Sequence, residues 1–167
     1  MNVLILGSGA AGSVTAKILA DFKDIEKIYL TDISEKAAKK ILVPHPKISF
    51  KVLDGTVKSE VLEVLKDCAL IINAASPHLN KQLMETALQA KVNYQDLASF
   101  WDNAIVEQLD YNKAFQEKGL VGLINASATP GVSNLIAAEL ASGLKQIEYV
   151  KIRLLEDVSA NVPLTAW

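Results

Sequence analysis

The feature that most constrains the fold is an alternation. Short apolar, β-branched runs recur along the chain, separated by longer segments of helical period. The runs are NVLIL from Asn2, KIYLTD from Lys27, KISFKVLD from Lys47, CALIINAA from Cys68, VNYQDLA from Val92, LVGLINAS from Leu120 and YVKIRLLE from Tyr149. Helical patterns lie near 10–22, 34–41, 58–66, 79–90, 101–118 and 132–143. In the fifth of these, Ile105, Leu109 and Phe115 keep approximate helical spacing, and Ser99 and Asp102 stand like a capping box. Parallel strands need a crossover between them, and a helix is the usual one. Several runs are apolar nearly throughout, as strands covered on both faces should be. The expected architecture is α/β: a doubly wound parallel sheet of six strands, three-layered αβα, of the Rossmann type.

The chain has 167 residues, enough to bury a core in one ordinary domain. Residues 1–145 are expected to form the nucleotide-binding sheet, and 146–167 to begin a second domain. The chain stops at Trp167, after an apolar tail with no closing helix, which reads as a fragment. A net charge of −2 gives no basic footprint for nucleic acid and no polybasic patch for a membrane. No apolar run is long enough for a membrane helix, and the first residues read as a strand, not a signal peptide. The single cysteine, Cys68, fits a reducing cytoplasm and reads as a small buried hydrophobe. His45 and His78 lack metal-ligand spacing, so no metal is expected.

Gly7-Ser8-Gly9-Ala10-Ala11-Gly12 fits G-x-G-x-x-G, after a strand and at the start of a helix, where a dinucleotide-binding turn belongs. Gly7 permits the tight turn, Gly9 a close approach of the pyrophosphate, and Gly12 close helix–strand packing. The helix N-terminus offers N–H groups and a positive dipole end. Asp32 ends the second strand, twenty residues beyond Gly12, where its carboxylate can accept both hydroxyls of an adenine ribose. That carboxylate repels a 2′-phosphate, and Ile33 and Ser34 supply no arginine to hold one. NAD is therefore expected over NADP, with Lys36 as the residue that leaves NADP open.

Ligands in such sheets lie beyond the carboxyl ends of the strands. Asp54 ends the third run and either meets the adenine or closes a plain turn. Asn73, Ala74 and Ala75 lie along the cofactor path, followed by Pro77 and His78 at a helix start. His78 reads more readily as a solvent-facing helix-start residue than as a proton-transfer group. Asp96, at the end of the fifth run, is a candidate catalytic or substrate-orienting group, or a loop aspartate. In NASATPGVSN, Pro130 and Gly131 make a turn and Ser133 or Asn134 can cap the next helix. The N–H groups of that loop are expected to be exposed toward a substrate carboxylate or the nicotinamide end.

GSGAAG, the acidic end of the second strand, NAASP, NYQDLA and ATPGVSNLIAAEL, in this order, resemble the saccharopine dehydrogenase family. Within it the saccharopine reductase and lysine 6-dehydrogenase types are most similar. The resemblance implies an amino-terminal Rossmann domain followed by a second domain carrying most of the substrate pocket and a dimer interface. It implies NAD(P)-dependent oxidation or reduction at a CH–NH bond, with lysine or saccharopine as the kind of substrate. Gly7, Gly9, Gly12 and Asp32 take the family's cofactor positions, with Asn73 and Ala74 along the path. Asp96, Pro130, Gly131, Ser133 and Asn134 take its active-site-facing ones. The competing expectation is a nucleotide-sensing regulatory module without catalysis, for which VLDGTVKSEVLEVLKDCALIINA would suit, but in which NYQDLA and ATPGVSN have no evident purpose.

Overall fold

The computed structural model describes residues 1–35, 44–99 and 104–153. Six parallel strands form one sheet: β1 (Asn2–Leu6), β2 (Lys27–Asp32), β3 (Ile48–Val52), β4 (Leu70–Asn73), β5 (Asn93–Asp96) and β6 (Gly122–Leu123). Their order is β3-β2-β1-β4-β5-β6. Crossovers run through α1 (Ala10–Ala20), α2 (Lys58–Leu65), α3 (Asn80–Ala90) and the pair α4 (Ala104–Leu109) and α5 (Asn112–Glu117), and α6 (Val132–Ala141) follows β6. The doubly wound Rossmann architecture expected from the alternation is what the chain adopts. Of the expected helix at 34–41, residues 36–41 lie outside the described residues, as does Asp102 of the capping box.

Side-chain alternation along the strands makes two cores, one on each face of the sheet. In β1, Val3 and Ile5 point to one face, where Ile28, Leu30 and Ile72 meet Ala16 and Ala20 of α1. Leu4 and Leu6 point to the other, where Ile71 and Tyr94 meet Val61, Val64 and Leu65 of α2, Leu83, Met84 and Ala87 of α3, and Phe115 of α5. Each fully buried aliphatic side chain contributes roughly 1.5–3 kcal/mol. Helices on both faces give the three layers.

Three elements differ from expectation. The long helix near 101–118 breaks at Asp110 and Tyr111, and Tyr111 instead sends its hydroxyl to Glu85 Oε1 at 2.6 Å. β6 keeps only two residues of its run, because Asn125 turns out of line at φ +55. The seventh run forms no strand over 149–153. α6 buries none of its residues, and Leu135 and Leu140 are 72% and 73% exposed.

Candidate functional site at the carboxyl edge of the sheet

Strand register builds the site. Thr31, Leu6, Asn73 and Asp96 face one another in one row across β2, β1, β4 and β5. The next residue of each strand therefore stands at the rim of the sheet: Asp32, Gly7, Ala74 and Leu97. Cofactor candidates read far apart in sequence thus share one edge.

The glycine-rich turn is built around its backbone. Gly7 has φ +92 and donates its N–H to Thr31 O at 2.9 Å. A Cβ on Gly7 would lie 2.6 Å from Ala74 O, and one on Gly12 would lie 1.9 Å from Gly7 O. Both glycines are demanded by close backbone approach. Gly9 is different: it caps α1 at φ −63 and ψ −171, a conformation open to any residue. Ser13 N–H takes up Gly9 O at 2.9 Å. Among the described residues, the N–H groups of Gly9, Ala10, Ala11 and Gly12 have no acceptor. Such a cradle, at the positive end of an eleven-residue helix, fits a pyrophosphate.

Asp32 closes this turn. Its Oδ2 accepts both the N–H and the hydroxyl of Ser8, each at 2.9 Å, and its Oδ1 accepts Ser34 N–H at 3.0 Å. A carboxylate offers about four acceptor positions, and three are filled. One remains open to a further donor. Ile33 beside it is 69% exposed. Asp54 makes an Asx turn: its Oδ1 accepts the Thr56 hydroxyl at 2.7 Å and the Thr56 N–H at 2.9 Å, and these hold its carboxyl below the usual range.

The wall beyond β4 is held by Asn73. Its Nδ2 donates to Asn80 Oδ1 at 2.7 Å and to Ser76 O at 3.1 Å, and its Oδ1 accepts Ala75 N–H at 3.1 Å. Asn80 continues the chain to Ala98 O at 2.8 Å. Ala11, Asn73, Ala74, Ala75, Pro77, Leu97 and Ala98 line a narrow cleft there. Pro77 opens a short 3-10 turn, Pro77–Leu79, whose preceding Ser76 hydroxyl accepts His78 N–H at 3.3 Å.

Asp96 is 1% exposed. Its Oδ2 accepts the Tyr94 hydroxyl at 3.0 Å and Gln108 Nε2 at 2.6 Å, and its Oδ1 accepts Asn125 N–H at 2.7 Å. Its backbone carbonyl accepts Ala126 N–H at 2.9 Å. Desolvation raises its pKa above the ordinary carboxylate value, against the pull of these three side-chain acceptor contacts. The carboxylate faces inward and ties together β5, α4 and the segment that follows β6. Sequence reading named Asp96 but none of its partners. Asn125, whose buried Oδ1 has no hydrogen-bond partner among the described residues, was likewise passed over as part of a small-residue loop.

The loop before α6 spends several of its N–H groups on itself. Val132 N–H goes to Ser127 O at 2.9 Å, Ser133 N–H to Ala128 O at 3.0 Å, and Asn134 and Leu135 N–H to Gly131 O at 3.0 and 3.2 Å. Gly131 N–H goes to Asn134 Oδ1 at 3.1 Å, which also accepts the Ser133 hydroxyl at 3.2 Å. The N–H groups from Gly131 to Leu135 are taken up within the loop, whereas those of Ala128 and Thr129 have no acceptor among the described residues. Asn134 caps by reaching back to Gly131, the residue that starts the helix. An apolar groove of about 650 Å3 opens between Thr129, Val132, Ile136 and Leu140 and residues 147–153.

Residues 3–123 match the saccharopine dehydrogenase NADP binding domain family. The chain belongs to that family. It is 29% identical over 161 residues to a carboxyaminopropylagmatine dehydrogenase from Synechocystis, covering 90% of this chain and 40% of the relative. A carboxynorspermidine synthase from Vibrio alginolyticus is 29% identical over 161 residues, covering 83% of this chain and 39% of the relative. Among solved structures, apo saccharopine dehydrogenase (L-Glu forming) from Saccharomyces cerevisiae superposes with a TM-score of 0.71 at 21% identity, over 83% of this chain and 30% of that one. This last likeness concerns the fold. The chain spans about two fifths of the length of the curated relatives it matches.

The chain is thus an NAD(P)-binding Rossmann domain of the saccharopine dehydrogenase type, homologous to dehydrogenases. Among the described residues no group of His, Cys, Asp and Glu is placed to hold a metal, and no helix is long and apolar enough to cross a membrane.

Proposed function

We propose that this domain holds NAD for a dehydrogenase that acts at a CH–NH bond of an amino acid or a carboxylated amine. The observation that carries the reading is the row of unfilled N–H groups, Gly9 to Gly12, beside a carboxylate pinned at the end of β2. In this reading Gly9, Ala10, Ala11 and Gly12 bind the pyrophosphate and Asp32 accepts one ribose hydroxyl. Ile33 flanks the adenine, with Asp54 at the turn beyond it. Asn73, Ala74 and Ala75 wall the path, and Pro130 borders the nicotinamide end. Bound there, the nicotinamide would accept a hydride from the amine carbon to leave an imine, or return one in the reverse direction.

Gly131, Ser133 and Asn134 border the substrate side, with the Gly131 N–H and the Ser133 hydroxyl both taken up by Asn134 Oδ1. Asp96 serves as a positioning residue, because its oxygens are occupied and its contacts fix Asn125 and Ala126. The general base and most of the substrate pocket lie in a second domain, of which 146–167 is the start. The lengths of the relatives and the exposed apolar face of α6 support this division. The whole enzyme is proposed to be a cytoplasmic homodimer. Cys68, half-buried, with burial pushing its thiol up to about 11, suits a reducing compartment as an inert side chain.

Calorimetry tests the reading. The 167-residue chain is expected to bind NAD, to lose affinity in Asp32→Ala, and to turn over neither lysine nor saccharopine. Tighter binding of NADP than NAD, or robust turnover by this chain alone, would contradict it.

A further inference from the structure

We propose that Ser8 is a specificity residue: it locks the Asp32 carboxylate in the position that admits a ribose 2′-hydroxyl and excludes a 2′-phosphate. The inference rests on the dinucleotide reading above and adds the device that enforces cofactor choice.

An acidic residue at the end of β2 discriminates against a 2′-phosphate only while it stays in place. A half-exposed aspartate could rotate into solvent and leave room for the phosphate. Here it is held. Ser8 is 0% exposed, and its N–H and hydroxyl both end on Asp32 Oδ2 at 2.9 Å. Ser8 is fixed from its other side too, since its carbonyl accepts the Ser13 hydroxyl at 2.7 Å. Rotation of Asp32 would strand a buried N–H and a buried O–H together, and each stranded donor costs far more than a surface contact. The carboxylate therefore keeps Oδ2 turned into the loop.

What remains is Oδ1. It holds Ser34 N–H at 3.0 Å and has one acceptor position left. A 2′-hydroxyl can donate to that position. A 2′-phosphate brings only acceptors and negative charge, and it meets a like charge that cannot move away. Ser8 thus acts through Asp32, without itself reaching the ribose. The spacing of twenty-four residues hides this pairing in the sequence, where Ser8 reads only as a cofactor-side x of the glycine motif.

The test is a set of calorimetric titrations of NAD and NADP into the wild type, Ser8→Ala and Asp32→Ala, with thermal unfolding followed on each. The wild type should favour NAD. Ser8→Ala should bind NAD somewhat more weakly and NADP more tightly, lowering the preference by about fivefold to tenfold, the loss of one hydrogen bond to a charged group. Asp32→Ala should abolish the preference. Opposite shifts for the two cofactors are a signature that a merely structural serine would not give. If Ser8→Ala weakens both cofactors alike, or leaves the ratio unchanged while Asp32→Ala alters it, the lock is wrong. If the folded wild type binds neither cofactor, the dinucleotide reading itself fails, a result distinct from failure of the lock. Should Ser8→Ala not fold, Ser8→Gly removes the same hydroxyl and is held to the same outcomes.

Discussion

Two helix N-termini stand at the carboxyl edge of this sheet, and they differ in what they leave unpaired. At α1 the turn spends only Gly7 and Ser8 N–H on the protein, on Thr31 O and Asp32 Oδ2, and leaves Gly9 to Gly12 without acceptors. At α6 each N–H from Gly131 to Leu135 is satisfied by the loop itself. Both helices have a positive dipole end, so the dipole alone does not make an anion site. Free donors do. The first terminus is open to a ligand at little desolvation cost, whereas the second would have to break its own bonds to bind one.

The sharpest way to break this comparison is to fill the two turns. Gly12→Ala puts a methyl 1.9 Å from Gly7 O, and Gly131→Ala puts one 2.1 Å from Ser127 O at a φ of +131. Each should destabilise the chain by about 3 kcal/mol or more, read by denaturant unfolding. They should part on ligand binding: Gly12→Ala abolishes NAD affinity, and Gly131→Ala, in whatever fraction remains folded, retains it.

A second, smaller effect concerns Asp96. Asp96→Ala strands the Tyr94 hydroxyl, Gln108 Nε2 and Asn125 N–H in a buried site and should cost roughly 2–3 kcal/mol. The pH dependence has a definite sign. Because desolvation raises the folded-state pKa of Asp96 above its ordinary value of 3.8, the group favours folding most when protonated. Its contribution is fully present below 3.8 and is lost as pH rises through the raised folded value. Stability of the wild type relative to Asp96→Asn should therefore increase as pH falls toward 4, and a difference that moves the other way would contradict the assignment.

The smallest effect is expected on α6. Leu140→Lys replaces a side chain that is 73% exposed and should alter unfolding of this chain by no more than about 0.5 kcal/mol. A large loss would show that the face is packed within this chain and is not a contact for a further domain.

Much of the fold was legible because the central strands are apolar on both faces: β1, β2 and β4 are fixed by Val3 to Leu6, Ile28 to Thr31 and Ile71 to Asn73. The glycine turn was legible because Gly7 and Gly12 are backbone necessities that few other residues meet. Residue pairs were not. Ser8 with Asp32, and Asp96 with Gln108 and Asn125, lie 24, 12 and 29 residues apart and join only when strands align. Local propensity carries no information on such pairings. In the loop before α6 the cap was legible, since small polar residues at a helix start favour one, and Asn134 caps by turning back on Gly131.

The most direct test of the central claim is an amide NMR titration with ADP-ribose, which carries the adenine ribose and pyrophosphate without the nicotinamide. Saturable shifts of the Gly9, Ala10, Ala11 and Gly12 amides are predicted, with Gly131 to Leu135 unmoved. Shifts at Gly131 to Leu135 with Gly9 to Gly12 silent would contradict the account.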